Sequence, residues 1–257
     1  MFIPKTKRIQ NLARLFPEVI IELEKIFATT SNIYLDWQNV IHWQDKLGWH
    51  INPRRLKHFF DSFNTIKIVY IYTGTLTNDE GSQESITEFT NLGYKVETKL
   101  VKIMLYPINF LNISKNSTLL LQPFVKKPLL SVLDVKAIES INNLFKDLND
   151  KGVFYLKDKK CNFDVEIARD MFLDLYKNNI NNFILWSGDS DFVDPINAIT
   201  KENKGIFIFS TAGRTSRELV KLNIGVFEIK KIKEFICWPR EIYSSIKDII
   251  DEPSNLL

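Results

Sequence analysis

Apolar residues recur along this chain with two periods, and the way they alternate predicts a layered α/β protein. Leu12, Leu15, Phe16, Val19, Ile20, Leu23, Ile26 and Phe27 keep helical spacing and predict an N-terminal helix, with Pro17 near its start. A brief apolar strand is expected over 33–35, a helix from Asn52-Pro53, a strand over 66–72, a helix over 79–92 ended by Gly93, and a third strand over 94–104. Strand-helix-strand-helix-strand is the signature of a parallel sheet with right-handed crossovers. The rhythm breaks over about 106–151, where Pro107, Pro123 and Pro128 punctuate short apolar pieces and 134–149 reads as one amphipathic helix. It resumes with a strand over 153–156 and a helix through Asp164, Ile167, Ala168, Met171 and Phe172. A buried strand follows over 183–186, then a helix through Phe192, Ile196 and Ile199. A strand over 206–209, a small polar loop from Ser210 to Arg217, a last strand over 225–229 and a helical, polar-tipped end complete the chain.

Composition changes this picture little. At 257 residues the chain is long enough for a substantial core, and 45% hydrophobic with 25% charged residues is ordinary for a globular protein. A net charge of +3 is no argument for nucleic acid by itself, so any such argument must rest on local patches. Two cysteines, Cys161 and Cys237, fit neither a disulfide framework nor a zinc site. No stretch reaches transmembrane length and no apolar leader follows Lys5, Lys7 and Arg8, so a soluble cytoplasmic protein is expected.

The chemistry concentrates in Asn182-Asn-Phe-Ile-Leu-Trp-Ser-Gly-Asp-Ser-Asp-Phe-Val-Asp-Pro195. A strand that ends in Asp189, Asp191 and Asp194 just before a helix puts carboxylates at the carboxyl edge of a parallel sheet, where open α/β sheets bind ligands. Carboxylates crowded there repel one another and hold protons unless a cation neutralises them. Oxygen donors without Cys or His suit Mg²⁺ or Mn²⁺. Helix capping is the plainer reading, although one Asp would suffice for it. Asp36 likewise stands where the first strand should end, with Asn39 three residues on. On the helix after Lys159-Lys-Cys-Asn-Phe163, Asp164 can share a site with Asp189, whereas Asp170 faces away from it.

These motifs together resemble the NYN-domain family, a branch of the PIN-like ribonuclease superfamily that includes the LabA-like proteins. The resemblance rests on Leu35-Asp-Trp-Gln-Asn39, Asn162-Phe-Asp-Val-Glu-Ile-Ala-Arg-Asp170, Ser187-Gly-Asp-Ser-Asp-Phe192 and the Ser210 loop. It implies a Rossmann-like three-layer α/β/α fold with a mostly parallel sheet, over 32–236 less the insertion at about 106–151. A helical extension, 1–31, would precede this domain and a helical tail, 237–257, would follow it. It also implies an acidic Mg²⁺ or Mn²⁺ site for phosphodiester hydrolysis, matched here by Asp36, Asp164, Asp189 and Asp191, with Asn39 beside the first. The chain departs from the family at Trp37, where a small residue is usual and where a bulky ring would narrow the approach to the metal. It departs again at Lys160-Cys-Asn-Phe163, where Lys-Gly is usual.

Such ions neutralise phosphoryl charge and hold attacking and leaving oxygens in line. No His or Lys is evidently placed as a general base, and His42, His50 and His58 read as structural or surface residues. Ser187 and Ser210 are candidates for phosphate or metal-bound waters, and Lys160, Arg214 and Arg217 for RNA phosphates, with Arg169 and Lys221 also able to flank the site. Trp37 and Trp43 are expected to be more exposed and able to stack on bases, Phe163 and Trp186 to be core. The expected activity is a metal-dependent endoribonuclease acting on single-stranded or loop RNA, with DNA a lesser expectation and no membrane partner. The N-terminal helix is a candidate surface for a homo-oligomer or protein partner. A dehalogenase-like phosphatase would want a second Asp where Gln38 stands, and a dinucleotide-binding domain would want a glycine-rich first turn. A glycosyltransferase reading leaves Asp36 and Asp164 idle. The competing class is an NYN-like fold that binds RNA or protein with little catalysis.

Overall fold

The computed structural model describes residues 1–76, 79–211 and 213–250. β1 (Ser31–Asp36) and β6 (Asn182–Trp186) are buried at every position, as the continuous apolar runs require when both faces of a parallel strand are covered. Around them β2 (Ile66–Thr75), β3 (Lys95–Leu100), β7 (Gly205–Ser210) and β8 (Gly225–Glu228) complete one six-stranded sheet in the order β3-β2-β1-β6-β7-β8, all parallel. The sheet winds outward in both directions from the β1–β6 pair. That pair is the switch point, outside whose carboxyl ends doubly wound sheets place their ligands.

Alternation across the strands sorts the core into two faces. Ile33, Leu35, Val69, Ile71, Ile184 and Trp186 join one cluster with α1 (Lys7–Leu15), α2 (Pro17–Ile26), α3 (Trp37–Leu47) and α4 (Pro53–Asp61). Phe89 of α5 (Glu80–Asn91) joins the same cluster. Tyr34, Tyr70 and Tyr72 point the other way, toward α8 (Asp164–Tyr176). Helix α9 (Val193–Lys201) packs beside α8. The expected three-layer α/β arrangement is therefore present.

The N-terminal segment is two helices where one was expected, because Pro17 lacks the N–H that a continuing helix needs and opens α2 instead. The apolar stripe that marked this segment as a docking candidate includes Leu12, Ile20 and Leu23, all buried in the protein's own core. Trp37 and Trp43 also differ from expectation, being 8% and 2% exposed. Trp37 packs edge-on against Phe89. Phe163 and Trp186 are core residues, as read from the sequence.

Residues 101–161 form a separate compact unit. The single strand expected over 94–104 is two strands, because β4 (Lys102–Pro107) leaves the main sheet to pair antiparallel with β5 (Tyr155–Lys160). β5 replaces the shorter strand expected over 153–156, and the irregular stretch of about 106–151 lies between these strands. Its own small core gathers Ile108, Leu121, Ile138 and Phe145 around α6 (Lys127–Leu130) and α7 (Val135–Asp150). Asn142 and Asn149 of α7 pin the neighbouring loops by donating to the Lys115, Ser117 and Ile108 carbonyls.

Near the C-terminus come α10 (Arg217–Val220), α11 (Lys233–Ile236) and α12 (Ser244–Ile250). Residues 251–257 of the expected helical tail, and Ala212 in the polar loop, lie outside the described residues.

Candidate metal centre

Three chain segments bring carboxylates to the switch point. β1 ends in Asp36, β6 runs through Ser187-Gly188 into Asp189 and Asp191, and α8 opens on Asp164. Oxygens of Asp164, Asp189 and Asp191 lie within 4.8 Å of one another, close enough to share one cation. Asp36 is outside that set. Its carboxylate, 7% exposed, accepts the Asn39 N–H at 3.2 Å and caps α3. The capping reading thus holds for Asp36, and also for Asp189, which accepts the Asp191 N–H at 3.3 Å.

The electrostatics match an unneutralised cluster. Burial pushes the Asp164 carboxyl up from 3.8 to about 6; the Asn162 side chain opposes this, and Asp189, Asp36 and Asp191 add to it. Burial also raises Asp36, against its bonds from Asn39, with a further contribution from Asp189. The donor chemistry, all carboxylate oxygen, fits a hard divalent ion.

Asn39 holds the two central strand ends together. Its Nδ2 donates to Ser187 Oγ at 3.0 Å, and its Oδ1 accepts the Trp43 indole N–H at 3.1 Å. Ser187 Oγ also accepts the Asp189 N–H at 3.4 Å. Both residues are thus engaged in shaping the carboxylate loop. Asn162, one of the departures noted in the sequence, accepts the Asp164 N–H at 2.8 Å and orders the start of α8.

Gly188 is the residue that sequence reading overlooked. A Cβ there would lie 1.9 Å from the Arg214 carbonyl oxygen, and the Gly188 carbonyl accepts the Ser216 N–H at 2.9 Å. Only glycine lets the loop after β7 lie this close to the Asp189 loop. That contact carries Arg214 to the site's flank, where its guanidinium reaches the His42 carbonyl at 3.5 Å. Arg217 is exposed at the start of α10, and Ser210 is fully buried with its hydroxyl unpartnered among the described residues. Lys160 ends β5 in the other unit and is exposed. Arg169 pairs with Asp170 at 2.8 Å. Asp194 is exposed in the first turn of α9, outside the convergent set. Of the histidines, His50 pairs with Glu241 at 2.7 Å, and none belongs to the cluster.

The family model described as "NYN domain" matches residues 131–225 of this sequence, a span holding Asp164, Asp189 and Asp191 but not Asp36. A relative, the Low amplitude and bright protein LabA of Synechococcus elongatus, is 24% identical over 205 residues, covering 79% of this chain and 86% of LabA. Over that span the chain is similar to the NYN-domain family. NYN and PIN-like domains are typically nucleases and generally use divalent metals. A crystal structure of a protein of unknown function from Vibrio parahaemolyticus superposes with a TM-score of 0.49 at 15% identity, covering 80% of this chain and 94% of that one, a likeness too weak to carry function. Among the described residues no helix is long and apolar enough to cross a membrane.

Proposed function

We propose that this protein is a metal-dependent endoribonuclease acting on single-stranded or loop RNA, with Mg²⁺ or Mn²⁺ held by Asp164, Asp189 and Asp191. The supporting observation is the convergence of those three carboxylates at the switch point of the sheet. A divalent ion bound there would neutralise phosphoryl charge and activate water at neutral pH. Asp36, buried beside the cluster, adds negative charge that strengthens cation binding while its oxygens cap α3. Asn39 and Ser187 hold the Asp189 loop in place. The Ser210 hydroxyl, unpartnered among the described residues, is assigned to a phosphate or a metal-bound water, and Arg214 and Arg217 to phosphates beside the cut. Lys160 contributes a further phosphate contact.

One observation favours the rival, a catalytically weak RNA- or protein-binding module: Asp36 serves as a helix cap and stands outside the convergent set. Cleavage of a labelled single-stranded RNA in Mn²⁺ or EDTA, by wild type and Asp189→Asn, separates the two. The nuclease reading expects wild-type cleavage that EDTA stops and that the variant loses by several orders of magnitude. It also expects a Mn²⁺-dependent rise in wild-type melting temperature that the variant lacks. Metal binding without cleavage of RNA or DNA would leave the binding module; equal cleavage by both proteins would place the reaction elsewhere.

A further inference from the structure

Charge is divided unevenly between the two compact units. Residues 101–161 hold ten lysines against five acidic residues, a net of +5 in a chain whose total is +3, so the rest of the chain is net −2. An acidic catalytic unit repels a polyanion beyond its bound metal, and an attached basic unit can offset that repulsion.

The positive charge is densest on the β4–β5 ribbon. Residues directly opposite in an antiparallel pair share a face. Tyr106 and Leu156 form one such pair and turn toward the unit's own small core, Tyr106 packing against Phe124 at 5.4 Å. The opposite face pairs Ile103 with Lys159, Leu105 with Lys157 and Pro107 with Tyr155, and all six residues are exposed. Ile103, Leu105 and Tyr155 are each more than half exposed, at 53%, 55% and 55%. Among the described residues neither Lys157 nor Lys159 has an ion-pair partner. A regular row of apolar and aromatic side chains flanked by unpaired lysines is the pattern of a single-stranded nucleic-acid platform, where bases stack and phosphates meet cations. Asp164 follows Lys160 by four residues along the chain.

We propose that the exposed face of the β4–β5 ribbon holds the single-stranded RNA substrate, with Lys157 and Lys159 on its phosphates and Tyr155 stacked on a base. This deepens the reading above and rests on it for the identity of the substrate. The test is fluorescence anisotropy of a labelled oligouridine about twelve nucleotides long, in EDTA so that nothing is cleaved, across a salt series. The double variant Lys157→Glu/Lys159→Glu should bind at least tenfold more weakly. Its slope of log K against log salt should fall by about 1.4, or about 0.7 per lost phosphate contact on a single strand. Tyr155→Ala should bind about fivefold to a hundredfold more weakly with the slope unchanged. Both variants should keep the wild-type Mn²⁺ thermal shift, and both should melt as cooperatively as wild type. Unchanged RNA affinity in the double variant overturns the proposal. So does a double variant that loses binding to phosphatidylserine vesicles while keeping RNA, which would make the face a membrane-docking surface. RNA cleavage with ribbon-independent binding sinks this inference and spares the nuclease reading. Ribbon-dependent binding by a wild type that never cleaves does the reverse.

Discussion

Asp164 opens helix α8 and Asp174 lies nearly three turns further along it, yet the protein treats the two carboxylates in opposite ways. Asp174 is fully buried but saturated: Tyr34 Oη donates to it at 2.6 Å, Asn32 Nδ2 at 2.7 Å, Asn178 Nδ2 at 2.6 Å and Tyr70 Oη at 3.1 Å. Asp170, between the two, receives Tyr72 Oη at 3.0 Å and the Arg169 guanidinium at 2.8 Å. Burial, and then Asp174, push the Tyr34 and Tyr70 hydroxyls well up; burial and then Asp170 do the same for Tyr72, so all three remain donors. Asp164, less buried, faces Asp189, Asp191 and Asp36 with no cationic partner among the described residues, and its own pKa rises to about 6. A buried carboxylate with a full set of donors anchors a helix, whereas one surrounded by other carboxylates asks for a cation. The difference lies in the partners, since both are Asp on the same helix.

The anchor end should show the largest effect. Asp174→Ala removes the acceptor of four donors inside the sheet–helix interface and should cost about 3–5 kcal/mol, read from urea unfolding at neutral pH. A loss below about 1 kcal/mol would mean that water replaces the carboxylate and that the contrast between the two ends is weaker than drawn.

The site end should respond with the opposite sign. Because its pKa is raised, Asp164 keeps its proton in the folded metal-free protein at pH values where the unfolded chain has lost it. The stability this group contributes is full below 3.8 and is lost as pH rises through about 6. Asp164→Asn should flatten that decline and raise the metal-free melting temperature at pH 7 by roughly 2–4 °C, the equivalent of about 1 kcal/mol. Added Mn²⁺ should stabilise wild type more at pH 7 than at pH 5, since protons and metal compete for the same oxygens. A variant that melts lower, with the pH decline intact, would make Asp164 a plain helix cap.

The smallest effect belongs to the site's rim. Replacing Arg214 and Arg217 together by Ala should lower the salt slope of RNA binding by about 0.7 per lost contact and leave Mn²⁺ affinity where it was. An unchanged slope would return both arginines to the solvated surface.

Much of this was legible before any coordinates. Each strand of the main sheet and the long helices other than α3, which the sequence reading left out, declare themselves through local periodicity, and strand-end Asp36, Asp189 and Asp191 follow from where the apolar runs stop. The parallel sheet follows from the alternation of element types, because parallel neighbours need crossovers. Three things depended on the assembled fold. The departure of β4 from the main sheet to pair with β5 hangs on a contact between residues far apart in the chain, to which Leu100 and Lys102 carry no local clue. The burial of Trp37 and Trp43 was set by the elements covering α3, and a side chain's own hydropathy does not reveal its cover. The division of α8 into anchor and site was likewise hidden, although the Asp170–Asp174 spacing and the alternation of Tyr70 and Tyr72 were in plain view. Periodicity says which face of an element is apolar. Which polar groups meet across two such faces is decided only when the sheet and helix are brought together.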